Sequence, residues 1–215
     1  MPHAQTPHRQ PTKEQNPLPY YGRTALQSLR KDFITAYDRL HGALEAEDYD
    51  GELMIQIDDL TQAFSQAELY TLIDTFRRDH PEYFWISGEY WIYTRGGTIC
   101  AFALIMSMNK AQRTVAVQEV EAAAANILAG ISPGMSDYQK ELYLHDTLAA
   151  QITYVLNADN AHNLYGGLVD GEAVCDGYAK SLQYLLREAG IQSYIAVGYG
   201  NGGRHAWNYV RIDGQ

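Results

Sequence analysis

Apolar residues spaced by three and four positions dominate the first half of the chain, and residues of alternating polarity become common toward its end. Leu26, Leu29, Phe33, Tyr37, Leu40 and Leu44 recur at intervals of 3, 4, 4, 3 and 4, which predicts an amphipathic helix, with order beginning near Thr24. A short strand is expected over 53–57. Ser65 followed by Glu68 reads as a capping box opening a helix with Leu69, Leu72, Ile73 and Phe76 on one face, closed by Pro81. Two β-rich runs, 90–94 and 98–106, flank Gly96-Gly97 and predict a hairpin. An alanine-rich helix is expected over 111–129. After a Pro133-Gly134 turn, Ser136 and Gln139 cap another helix running to about Tyr154, with Tyr138, Leu142, Leu148 and Ile152 as its apolar face and His145-Asp146 partway along.

The last sixty residues change character. Residues 157–171 form a polar loop containing glycines, and 174–189 carry a helical stripe of Tyr178, Leu182, Leu185, Leu186 and Ala189 stopped by Gly190. Two strand-like runs, 193–199 and 205–212, are joined by Asn201-Gly202, a strong hairpin signal. Helices and antiparallel strands without a βαβα alternation give an α+β fold class.

Composition narrows the function. A net charge of −10 argues against a general nucleic-acid surface, and no apolar run is long enough for a membrane span. Two cysteines, Cys100 and Cys175, allow one bridge at most and no four-thiolate zinc site. Five of the seven prolines fall within residues 1–19, so that segment is expected to be a disordered tail. It lacks the apolar stretch of a secretory signal.

Cys175 opens a predicted helix directly after a loop containing glycines, where unpaired N–H groups and the helix dipole favour a thiolate. Asp176 beside it works against that. A cysteine on such a helix is more commonly a small buried hydrophobe. His205 lies just past the hairpin turn, where a histidine is more commonly only solvated, yet a helix start packed across a strand start can bring thiol and imidazole together. Gly198-Tyr199-Gly200-Asn201-Gly202-Gly203 has the letters of a dinucleotide loop but precedes a strand rather than a helix. Cys100, in an apolar strand, reads as core, and His145-Asp146 as a structural hydrogen-bonding pair.

The segment Ala173-Val174-Cys175-Asp176-Gly177-Tyr178-Ala179, followed by His205-Ala206-Trp207-Asn208, resembles the core of the transglutaminase-like superfamily. Leu144-His145-Asp146 and Tyr165-Gly166-Gly167-Leu168-Val169 resemble its bacterial branch, and Asp79–Trp85 resembles, more weakly, the region preceding the core in bacterial relatives. The resemblance implies a papain-like core, a nucleophile helix packed on antiparallel sheet, spanning 131–215 after an N-terminal α+β region at 20–130. It implies a cysteine acyl transferase or peptidase acting on protein or peptide amides, with Cys175 as nucleophile, His205 as acid/base and the Cys175 backbone N–H as an oxyanion donor. Tyr165 is the candidate second donor, and Trp207 and Asn208 support the histidine. No cofactor or metal is expected. The family's third member, an Asp on the next strand, is expected beyond the chain end. Asp213 is unsuitable, since ~3.3 Å per residue puts it ~26 Å from His205 along an extended strand. The chain is therefore expected to be a truncated, weakly active fragment. Relatives in this branch are often exported, so a cell-envelope location is expected, with any signal peptide absent from this chain. The alternative is a catalytically silent protein-binding module of an envelope or cell-surface protein.

Overall fold

The computed structural model describes residues 8–11, 31–200 and 202–213. The described residues divide into two compact units. One runs to Arg77 and resumes over Trp85–Arg113; the other comprises Arg78–Phe84 and the chain from Thr114 onward. The chain passes from the first unit to the second for the last time at Arg113/Thr114.

The first unit is a four-stranded antiparallel sheet with two helices. Strand β1 (His8–Pro11) pairs with β3 (Ile86–Arg95), β3 with β4 (Thr98–Met106), and β4 with β2 (Glu52–Gln56). Strand β1 lies in the segment expected to be a tail. Its backbone pairs from His8↔Thr94 to Pro11↔Trp91, and main-chain pairing at a sheet edge needs no apolar side chains. The rest of 1–19, and the expected helix positions Leu26 and Leu29, lie outside the described residues. Helix α1 (Lys31–Glu45) buries Phe33, Ala36, Tyr37, Leu40 and Leu44, the stripe its spacing predicts. The Ser65 backbone N–H donates to Glu68 Oε2 at 2.8 Å and Glu68 N–H to Ser65 Oγ at 3.2 Å, a reciprocal cap at the start of α2 (Gln66–Asp79). At the β3–β4 turn Gly96 and Gly97 have φ of 58° and 82°, the pair of left-handed conformations that a two-residue hairpin loop with the strands' own twist requires. Cys100 is buried on β4.

The second unit contains the part of α3 (Lys110–Leu128) from Thr114 onward, α4 (Asp137–Gln151), α5 (Cys175–Glu188) and a hairpin of β7 (Ser193–Gly200) and β8 (Gly203–Val210). Ser136 and Gln139 cap α4 reciprocally. The core gathers Ile127, Leu144, Leu148, Ile152, Leu185 and Leu186 among others. Tyr138 and Leu142, expected on the buried face, are 58% and 42% exposed. The reason is phase: Leu144 and Leu148 define the core stripe, and Leu142 lies two residues, about 200°, around the helix from Leu144. Residues 157–171, expected as a loop, contain a π-helical turn at Gly166–Asp170 closed by Gly171 in the left-handed region (φ 70°). Strands β5 (Thr153–Tyr154) and β6 (Glu172–Ala173) form a two-residue parallel pair, a minor exception to the antiparallel expectation. Gly202 turns the β7–β8 hairpin with φ of 82°; its neighbour Asn201 lies outside the described residues. The run Gly198–Gly203 thus joins two strands, as expected, and opens no helix. Among the described residues no helix is long and apolar enough to cross a membrane.

Candidate active site

The site begins with the way the chain enters α5. Val174, in extended conformation, is its N-cap, so Cys175 is the first helical residue. The Val174 N–H donates to the Ala161 carbonyl at 2.9 Å, and Lys180 Nζ donates to the His162 carbonyl at 2.8 Å, fastening the preceding loop along the helix start. Gly177 permits this closeness: a Cβ there would stand 2.4 Å from the Ala161 carbonyl oxygen and 2.8 Å from Ala173 Cβ. Gly166 and Gly167 serve the same end, since Cβ atoms on them would lie 2.2 Å from the Asn160 carbonyl oxygen and from Ser181 Oγ respectively.

Asp176, expected to oppose a thiolate, is tied to two cations. Arg78 Nη1 lies 2.9 Å from its Oδ1 and Lys180 Nζ 2.7 Å from its Oδ2, with all three side chains largely buried. Its negative charge is thereby offset next to Cys175. Arg78 belongs to the short segment Arg78–Phe84 that joins this unit. The same segment supplies Glu82, 2.9 Å from Arg187 Nη1 on α5 and 3.1 Å from His80 Nδ1. Burial pushes the Glu82 carboxyl up, but the His80 hydrogen bond and the Arg187 charge outweigh it and hold it below the usual glutamate value.

Half-buried Cys175 packs against a small cluster of Ala179, Ile195 and Ala206, which joins α5 to the hairpin. Asn208 Nδ2 donates to the Ala179 carbonyl at 2.8 Å, a second tie between β8 and α5. Cys175, His205, Trp207 and Asn208 all line one cleft of about 380 Å³, together with His145 and Glu141 of α4. Thiol and imidazole share this cleft without a direct hydrogen bond. The His205 ring meets Trp207 edge-on at 4.8 Å. Trp207 in turn lies over β7, where Cβ atoms on Gly198 and Gly200 would stand 3.2 and 3.1 Å from its ring; the two glycines leave room for it.

Tyr165 is not among the residues lining the cleft. Its hydroxyl donates to Glu119 Oε2 at 2.6 Å and its ring packs 5.6 Å from Phe84. The bond to Glu119, aided by desolvation, pushes the phenol up to about 12. The Tyr165 hydroxyl, expected as a second oxyanion donor, is thus directed to Glu119, and the residue leads into the π-helical turn at Gly166–Asp170. His145 lines the cleft, and its Nδ1 lies 3.0 Å from Asp146 Oδ1. Sequence reasoning missed Arg78, Glu82 and Glu119, whose partners are remote in sequence; Lys180 could have been found from its i, i+4 spacing to Asp176. Among the described residues no group of three or more His, Cys, Asp or Glu is placed to hold a metal ion.

The model of the transglutaminase-like superfamily matches residues 123–215. No curated protein sequence matches the chain. Among solved structures, that of a TGase is similar with 12% identity and a TM-score of 0.41, covering 78% of this chain and 49% of the other. A protein assigned as a cysteine protease from Cytophaga hutchinsonii is similar with 13% identity and a TM-score of 0.38, covering 76% and 62%. One assigned as a protease from Parabacteroides distasonis has 13% identity and a TM-score of 0.36, covering 60% and 29%. The chain thus spans from under a third to somewhat under two thirds of the length of these structures. Residues 123–215, which include the cysteine-bearing helix and the antiparallel hairpin, thus match a transglutaminase-like domain.

Proposed function

We propose that this domain is a cysteine-dependent acyl transferase or peptidase acting on protein or peptide amides, with Cys175 as nucleophile and His205 as acid/base. The carrying observation is that a cysteine at the first position of a helix and a histidine from a neighbouring strand open into one cleft. In this reading Cys175 Sγ attacks the amide carbonyl, and the Cys175 backbone N–H, unpaired at the helix start, receives the developing oxyanion. His205 protonates the leaving amine, and a thioester remains. An amine or water then attacks that thioester, giving transfer or hydrolysis. The cleft is mostly apolar between its polar groups, with Leu148, Tyr178 and Leu182 in its wall, which suits an extended peptide better than a free phosphate or nucleotide.

A limiting dose of iodoacetamide at neutral pH tests the nucleophile. Cys175 is expected to be alkylated well before buried Cys100 in the folded protein, as read by peptide mapping. An inert Cys175 defeats the enzyme reading and favours a binding module that uses the same cleft.

A further inference from the structure

The cleft holds a second imidazole that this reaction scheme does not use. His145 reaches it from α4, whereas His205 reaches it from β8, and both open onto the space that Cys175 occupies. His145 Nδ1 lies 3.0 Å from Asp146 Oδ1, with the two side chains 58% and 67% exposed. An exposed pair of this kind adds little to stability, so holding the fold together is a weak account of it. Its effect on the ring is more definite. A carboxylate at Nδ1 selects the tautomer with the proton on that nitrogen and leaves Nε2 free to accept one. His205 is placed differently: half-buried, set edge-on against Trp207, and without a carboxylate partner among the described residues.

We propose that His145, oriented by Asp146, is a second acid/base of the cleft and serves the acceptor half of the reaction. The inference rests on Cys175 being the nucleophile. Acyl transfer has two proton demands: one proton goes to the departing amine, and one must come from the incoming acceptor. The acceptor arrives from solvent after the leaving group has gone, and His145 is the more exposed of the two imidazoles. In this step His145 Nε2 takes a proton from water or an amine. The acceptor's oxygen or nitrogen bonds to the thioester carbon, the C–S bond breaks, and Cys175 leaves as thiolate. The imidazolium then returns its proton to solvent. Asp146 does not touch the reacting atoms and is a positioning residue.

The test separates the halves of the reaction with 4-nitrophenyl acetate, whose leaving group needs no protonation. A rapid-mixing burst of 4-nitrophenolate reports acetylation of Cys175, and the later steady rate reports its release to water or added methylamine. His145→Ala is expected to keep the burst and slow the steady phase by about 10²-fold or more. Asp146→Asn is expected to slow the same phase by a smaller factor, again with the burst intact, a split that a purely structural role would not produce. An unchanged steady rate in His145→Ala, or equal slowing of both phases, overturns the second-base role. Absence of a Cys175-dependent burst in the unsubstituted protein overturns the nucleophile assignment, and the second-base role falls with it.

Discussion

Arg78 and Asp176 stand ninety-eight residues apart in sequence and meet at 2.9 Å beside Cys175, the first residue of α5. The pair is largely buried, so removing the guanidinium leaves the Asp176 carboxylate with less compensation than its surroundings require. Arg78→Met is expected to lower stability by about 2 kcal/mol, the range of a hydrogen bond to a charged group, and to move the urea midpoint down accordingly. A midpoint unchanged within error would mean that Lys180 alone suffices for Asp176.

The base assignment has its own variant. His205→Ala is expected to leave the far-ultraviolet circular dichroism intact, because the half-buried ring sits near a hairpin turn, edge-on against Trp207. Alkylation of Cys175 at pH 6–7 is expected to slow, and any acyl transfer to fall by about 10²–10⁴. If alkylation proceeds at the original rate, thiol and imidazole do not cooperate.

Glu82 supplies a pH dependence. Its folded-state value lies below the ordinary one, so it stabilises the fold at pH above the ordinary glutamate value, and that contribution is lost as pH falls through the depressed value. Glu82→Gln is expected to be less stable near neutrality and to show a flatter loss of stability on acidification below about pH 4.5. Parallel acid-titration curves for the two proteins, followed by tryptophan fluorescence, would count against this.

Tyr165 moves in the opposite direction. Its folded-state value is raised to about 12, so its contribution is present below the ordinary tyrosine value and is lost as pH rises through the raised one. The difference in tyrosinate absorbance between the native protein and Tyr165→Phe is expected to titrate near that raised value rather than near the ordinary one. Because the hydroxyl serves Glu119 away from the cleft, the 4-nitrophenyl acetate acetylation burst of this variant is expected to keep its rate within about twofold, far short of the roughly 10²–10³ loss that removing an oxyanion donor brings.

Gly177 is a steric prediction. A methyl group there would stand 2.4 Å from a backbone carbonyl oxygen, which has no flexible route away. Gly177→Ala is expected to be destabilised by about 1–3 kcal/mol despite alanine's better helix propensity. The loop must lift off the helix start, so the preference for alkylating Cys175 over Cys100 is expected to shrink as well. A variant of unchanged or greater stability would show that the loop yields without strain.

The features legible in the sequence are those with a local cause. Helix α1 follows from the 3–4 spacing of its apolar stripe, the starts of α2 and α4 from a Ser and a Glu or Gln three residues on, and the hairpins from paired turn residues. The strand and helix that carry His205 and Cys175 are legible for the same reason. What escapes is set by partners far away along the chain. The pairing of β1 is main-chain chemistry without a side-chain pattern, and the Tyr165–Glu119 bond joins residues forty-six positions apart. The inward phase of α4 depends on which of two apolar stripes meets α5, a choice that Leu142 and Leu144 do not reveal by themselves.

The segment Arg78–Phe84 leaves one unit, joins the other, and the chain then returns before crossing over for good at Thr114. A gene fragment cut at 114, or at the first residue matching the family, would therefore be a different physical object from the unit itself. It would carry Asp176 without Arg78, Arg187 without Glu82 and Tyr165 without Phe84. Excision of an independently folding piece calls for a circular permutation or a grafted linker that brings residues 78–84 along, because the borders of sequence similarity and the borders of mutual support do not coincide.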